Sequence, residues 1–188
     1  MGLIDKYLIS LIIFFLWIGC NQKKESTRIE TYKPALVLNE PRKDSLGFRN
    51  DPHAYILFGM YCGECGSHCA TMFLYNIGGN ANTLLADYTD SYFNNNGKVI
   101  CSTPTVDIKK IHLARSIIDK IPSRLLTTSR PQERFGCPDC TDGCGIYFEF
   151  GLAGKVKRFA IDTETSKLTP DMKAFSEFLQ QVIDDMKK

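Results

Sequence analysis

The order of apolar and polar positions divides the chain into three stretches. Leu8–Ile18 is apolar apart from Ser10, and the chain turns polar at Asn21-Gln22-Lys23-Lys24-Glu25. Residues 21–50 stay mostly polar, broken by Pro34, Pro41 and Gly47, with one apolar cluster at Pro34–Leu38, which predicts a tether. Residues 51–188 carry regular periodicities. His53–Tyr61 predicts a strand, bounded by Asp51-Pro52 and the turn at Cys62-Gly63. Cys69–Ile77 fits a strand by its aromatic content and a helix by Ala70, Phe73, Leu74 and Ile77. Thr83–Thr89 and Lys98–Ser102 predict further strands on either side of an Asn94-Asn95-Asn96-Gly97 turn. In Asp107–Lys120, the residues Ile108, Ile111, Arg115 and Ile118 recur at helical spacing, and Pro122 stops the helix. Ile146–Phe150 and Lys155–Ile161 form a hairpin around Gly151–Gly154. A last helix begins at Thr169-Pro170, with Met172, Phe175, Phe178, Leu179, Val182 and Met186 as its apolar stripe. The order of these elements predicts an α+β domain: an antiparallel sheet with one middle helix and one C-terminal helix packed on it.

Length and charge narrow the function. Residues 51–188 are enough for one hydrophobic core. The net charge is +2 and the basic residues are scattered, which argues against a nucleic-acid surface. The sequence contains no G-x-S-x-G, P-loop, H-E-x-x-H or G-x-G-x-x-G motif. His53, His68 and His112 are the only imidazoles; His112 falls beside the apolar stripe of its helix. Glu64, Asp139 and Asp142 fall in cysteine-rich loops and read as solvated turn residues.

The eight cysteines are unevenly spaced. Cys62, Cys65 and Cys69 repeat the C-x2-C-x3-C spacing of Cys137, Cys140 and Cys144, and each triplet leads into an apolar segment. The repeat predicts that the two triplets meet in space. Three chemistries use such spacing. Disulfides come first, because bridges between the triplets close long loops and so restrict the unfolded chain most; their connectivity stays open. Zinc is the second, with Cys62, Cys65, Cys137 and Cys140 as thiolates and His68 as a substitute ligand. Thiol–disulfide exchange through Cys62 and Cys65 is the third. Cys101 stands alone and reads as a free thiol or a small buried apolar residue.

Three resemblances bear on these choices. Trp17-Ile18-Gly19-Cys20, after a short apolar segment, resembles the lipobox of bacterial lipoproteins. That resemblance implies a signal peptide at 1–19, lipidation of Cys20, a flexible tether to residue 50 and attachment to a membrane of the cell envelope, outside the cytoplasm. Leu8–Ile18 is too short to span a bilayer, which takes about 20 residues. Thiols in such a compartment tend to oxidise, and lipidation of Cys20 would leave seven, so at least one lacks a partner within the chain.

Tyr55–Tyr61 with Cys62-Gly63-Glu64-Cys65 resembles the strand and active site of thioredoxin-like proteins. This implies Cys62 as nucleophile, Cys65 as resolving thiol and Thr103-Pro104 as the cis-proline site. The chain departs from that pattern in its helix at Asp107–Lys120, in Tyr61 before the first cysteine, and in Cys69 and the second triplet. A wider set, Phe58-Gly59, Cys62-Gly63-Glu64-Cys65, Ile121-Pro122 with Leu125, Phe135-Gly136-Cys137-Pro138-Asp139-Cys140 and Ile161-Asp162, resembles an uncharacterised family of exported cysteine-rich bacterial proteins, which brings no activity with it. The residues therefore predict a domain without catalytic residues or cofactor, serving a binding or structural role at a membrane.

Overall fold

The computed structural model describes residues 47–48, 50–63, 65–77, 82–138, 140 and 143–188. The signal segment 1–19, Cys20 and nearly all of the tether to residue 50 lie outside the described residues, as do Glu64, Asp139 and Asp142. The described elements are β1 (Tyr55–Cys62), β2 (Ala70–Asn76), β3 (Thr83–Asp87), α1 (Ser91–Asn94), β4 (Thr103–Thr105), α2 (Ile108–Ile118), α3 (Ser123–Thr127), β5 (Gln132–Phe135), β6 (Cys144–Leu152), β7 (Lys155–Asp162) and α4 (Pro170–Lys187). The seven strands form one sheet in the order β4-β3-β2-β1-β6-β7-β5. Every pairing is antiparallel except β5 with β7. The fold is α+β, with α2 and α4 on one face of the sheet.

Alternation along the strands decides which face each side chain takes. Ile56 and Phe58 of β1, Phe73 and Tyr75 of β2, Ile146, Phe148 and Phe150 of β6, and Phe159 and Ile161 of β7 are buried under the helices. The C-terminal helix supplies Met172, Phe175, Leu179, Val182, Ile183 and Met186 to this core, with Phe178 packed at its border. Each of these side chains contributes roughly 2 kcal/mol by leaving water. Phe48 is buried as well and meets Phe150 edge-on, so the packed part of the chain reaches back at least three residues before Asp51.

The helix ends differ from their sequence expectation. Thr169 precedes α4 without capping it by its side chain; its hydroxyl donates to Asp171 and accepts from Arg124. Pro170 suits the first turn because that turn has no intrahelical partner for its N–H. Asp107 does cap α2, accepting from the Lys109 N–H at 2.8 Å. Lys110 of α2 donates to the Met186 carbonyl at 2.8 Å, placing a cation at the negative end of α4.

Two sequence expectations need correction, and one open choice is decided. Lys98–Ser102 is not a strand: it is a loop after α1, and the edge strand follows at Thr103–Thr105. Its apolar residues Val99 and Cys101 are explained by packing on the other face of the sheet. The buried side of α2 is Ala114, Ile117 and Ile118, whereas Ile108 is 68% exposed. His112 is likewise exposed. Cys69–Ile77 resolves as a strand because its alternate residues Phe73 and Tyr75 fill the core while Met72 fills the opposite face.

Candidate functional site

The cysteines converge at one end of the central strands. Cys62 closes β1 and Cys144 opens β6, directly opposite each other. The Cys62 N–H donates to the Cys69 carbonyl, and the Gly63 N–H donates to the Gly143 carbonyl. Cys62 and Cys144 therefore occupy a position of the β1–β6 ladder without mutual backbone hydrogen bonds, where paired residues approach most closely. Their Cα atoms are 4.0 Å apart and their sulfurs form a disulfide. This bridge joins the two triplets, at a Cα distance just under the usual disulfide span of about 4.4–6.8 Å. Cys65 pairs with Cys69 and Cys137 with Cys140, each within its own triplet.

The surrounding residues explain how the second triplet is held. Asp162, at the end of β7, accepts the Cys137 N–H at 2.7 Å and the Glu164 N–H at 2.9 Å. Thr163 donates to the Cys144 carbonyl at 2.8 Å. Gly136 has φ +73°, and a Cβ there would meet Asp162 at 2.6 Å, so the turn into Cys137 requires glycine on both counts. Gly145 lies beneath the Tyr61 ring, where a Cβ would come within 2.6 Å of it.

This geometry departs from the thioredoxin-like pattern. Cys62 and Cys65 belong to different disulfides. The chain after Cys65 runs into strand β2, so no helix follows the pair as that pattern requires. Pro104 lies on edge strand β4, three places from β1 in the sheet, and no cis peptide bond occurs among the described residues. The four cysteines considered for zinc are spread over three disulfides, in which no sulfur is a thiolate. His68 is exposed, with Nδ1 3.3 Å from the Tyr88 carbonyl oxygen. Cys101 is unpaired and half-buried, 3.8 Å from the Met72 carbonyl. Burial, followed by the nearby Asp87 carboxylate, pushes its thiol up to about 12, so it is not a nucleophile at neutral pH.

A second constellation lies on the sheet face opposite the helices. Glu149, in the middle of β6, is 7% exposed. Tyr55 donates to its Oε1 at 2.6 Å; Tyr147 donates to its Oε2 at 2.6 Å and Arg158 at 2.7 Å. Arg158 sits directly across the β6–β7 ladder. Burial raises the Tyr55 and Tyr147 hydroxyls above the ordinary tyrosine range, and donation to Glu149 adds to the shift. The Glu149 charge raises the Arg158 guanidinium further. With both oxygens occupied, Glu149 has the environment of an anchor for Arg158 and the tyrosines, not of a proton acceptor for a substrate.

The loop Tyr88–Ser102 covers part of this face. Tyr92 stacks on Tyr61 at 5.1 Å and meets Tyr147 edge-on at 5.6 Å. Asp87 holds the loop by accepting from the backbone N–H and hydroxyl groups of both Thr89 and Ser91. Burial alone would raise the Asp87 carboxyl, but those four bonds keep it below the ordinary carboxylate value. Its stabilising effect is thus present above the unfolded value of about 3.9 and fades as pH falls through the depressed folded value. Asp87→Ala should cost about 3 kcal/mol at neutral pH by leaving the buried N–H and hydroxyl of Ser91 unpaired. Urea melts of wild type and variant at neutral and acid pH check this. A gap that stays constant on acidification would contradict it.

Beside Tyr92 a cleft of about 440 Å3 opens, lined by Leu57, Val99, Tyr147, Glu149, Arg158 and Gln132 among others. It shares Tyr92, Gln132, Tyr147 and Arg158 with a narrower hollow of about 280 Å3 that extends to Arg134 on edge strand β5. Sequence reading missed this constellation. The signal was there: Glu149 is a lone charge inside an apolar strand, and the Ala153-Gly154 turn sets a register that brings Arg158 opposite it. No protein-family model matches the chain, and comparison with curated proteins returns no similar protein. The fold and the cysteines thus define a disulfide-stapled α+β domain.

Proposed function

We propose that this chain is a lipid-anchored protein of the bacterial cell envelope whose domain, stapled by cysteines, acts outside the cytoplasm by binding and not by catalysis. The observation that carries the reading is the set of three disulfides at one end of the sheet, a pattern that persists in oxidising compartments and not in the cytoplasm. The lipobox-like Gly19-Cys20 supplies the anchor, and a diacylated terminus holds a protein on a membrane stably. Among the described residues no helix is long and apolar enough to cross a membrane. The resemblance to exported cysteine-rich bacterial proteins points the same way. The role is one of binding because Glu149, Arg158 and the two tyrosines of the open face are already bonded to one another, while the cleft beside them stays accessible.

Metabolic labelling with a lipid precursor should mark the wild-type protein and leave Cys20→Ala unmarked. A thiol count by mass spectrometry on the mature protein, with and without reductant and chelator, should find six cysteines released by reductant alone and one free thiol at Cys101. Equal labelling of both proteins, or thiols that become reactive on chelation, would overturn the reading.

A further inference from the structure

We infer that the open-face cleft between Tyr92, Tyr147 and Arg158 binds an acidic saccharide, a sugar ring carrying a carboxylate. This deepens the binding role proposed above and rests on it. Three features of the cleft select that chemistry. Its walls include the partly exposed Tyr92 and Val99, with the buried Tyr147 and Leu57 behind them. The ring face of Tyr92 turned away from Tyr61 offers flat apolar surface against which the C–H face of a pyranose can lie. Its rim carries the amides of Asn96 and Gln132, neither of which has a side-chain partner among the described residues. A planar amide both donates and accepts, as neighbouring sugar hydroxyls require. Its size suits one or two sugar rings and falls within the usual range for small-ligand sites, about 300–1,000 Å3.

Charge then favours an acidic sugar over a neutral one. Arg158 is neutralised by Glu149, but its side chain is half exposed and borders both hollows. Lys98 has no side-chain partner among the described residues. Among the described residues, Arg134 reaches only the Pro138 carbonyl, at 3.5 Å. The remaining carboxylate nearby, Glu133, is bonded to the Thr128 hydroxyl. Among the described lining residues, the cations Lys98, Arg134 and Arg158 outnumber the carboxylates Glu133 and Glu149 by one, and a guanidinium pre-set by its Glu149 bond can meet a carboxylate with charge-assisted hydrogen bonds. The contrast with Lys157 is instructive: that lysine lines a different hollow, yet its Nζ already donates to the Leu126 and Thr128 carbonyls at 2.7 and 2.6 Å, which is a structural task.

The test is calorimetric titration of the full-length protein with a short oligogalacturonide, a neutral galacto-oligosaccharide of the same length, and citrate as a carboxylate without a sugar ring. The oligogalacturonide should bind at least about tenfold tighter than either control, and more weakly at high salt. Lys98→Ala/Arg134→Ala should weaken it by about tenfold while leaving the melting temperature unchanged, since both side chains are exposed. Gln132→Ala should weaken the sugar and leave citrate unaffected. Equal binding of the neutral sugar, equal binding of citrate, indifference to the double substitution, or no binding of the oligogalacturonide would each overturn the inference. Absent binding by a protein that still carries its lipid and disulfides would refute the ligand and leave the envelope reading standing. Loss of the lipid label or the disulfides would refute that reading whatever the titration shows.

Discussion

Removing the bridge between the two triplets with Cys62→Ala/Cys144→Ala lowers the free energy of unfolding by about 4.5 kcal/mol. The bridge spans a sequence separation of 82, so in the unfolded chain it abolishes the freedom of nearly the whole sheet between β1 and β6. The other two bridges span separations of 4 and 3; removing either costs about 2 kcal/mol by the same reasoning. The order of effects is therefore the prediction, as much as the size. A domain of this kind is stable by about 5–15 kcal/mol, so the first double variant should lose a large part of its stability and the others should not. Urea unfolding of the three double variants beside wild type, with midpoints and slopes fitted separately, measures this directly. Equal losses across the three, or the smallest loss at Cys62–Cys144, would mean that loop closure is not what these bridges contribute.

Glu149→Ala is the second large effect, a loss of about 3 kcal/mol. The carboxylate is nearly inaccessible, and truncating it leaves the Tyr147 hydroxyl buried, the Tyr55 hydroxyl half-buried and Arg158 without its partner. Arg158→Ala should cost less, within about 1 kcal/mol, because that side chain is half exposed and water replaces it. Glu149→Gln should fall between, since an amide keeps one acceptor and loses the other. The network also sets an alkaline limit. Tyr55 and Tyr147 ionise above the ordinary tyrosine value in the folded protein. The stability they confer is therefore complete below about pH 10 and declines as pH rises beyond it toward their folded values. In Glu149→Ala the phenol absorbance of these tyrosines should appear at lower pH than in wild type. A variant as stable as wild type, with an unchanged phenol titration, would show that the carboxylate does not hold this face together.

Much of the architecture was legible from local pattern. The apolar stripe of α4, the β6–β7 hairpin and the alternation in β1 each depend on the period of one element, which a sequence displays directly. The one parallel strand was not legible. Gln132–Phe135 is short and mostly polar, because an edge strand buries little, and it joins the sheet only through β7 and the Pro131 carbonyl. The covering loop was misread for a related reason. Val99 and Cys101 are apolar because they pack against the open-face cluster of Leu57, Tyr61, Ala70, Met72 and Tyr147, and a contact between segments so distant in the chain leaves no periodic trace.

The candidate site divides in the same way. The paired cysteine spacing predicted that the triplets would meet, since two copies of one motif in a chain of this size share a physical cause. It could not choose among the connectivities. That choice fell to the β1–β6 register, which places Cys62 opposite Cys144 at a closely approaching position and leaves the other two pairs to close within their own turns. The thioredoxin-like reading failed at this level, because its chemistry needs a helix after the first cysteine pair and β2 occupies that place. Glu149 was visible as a lone charge in an apolar strand and Arg158 as one of several charges in β7, but only the hairpin register brought them together. The sequence by itself determined which segments are strands or helices with a buried side and where the cysteines cluster, because those properties are periodic or local. Tertiary structure alone decided the disulfide partners, the polar network of the open face and the cleft beside it, because each depends on residues brought together by pairing between strands distant in the chain.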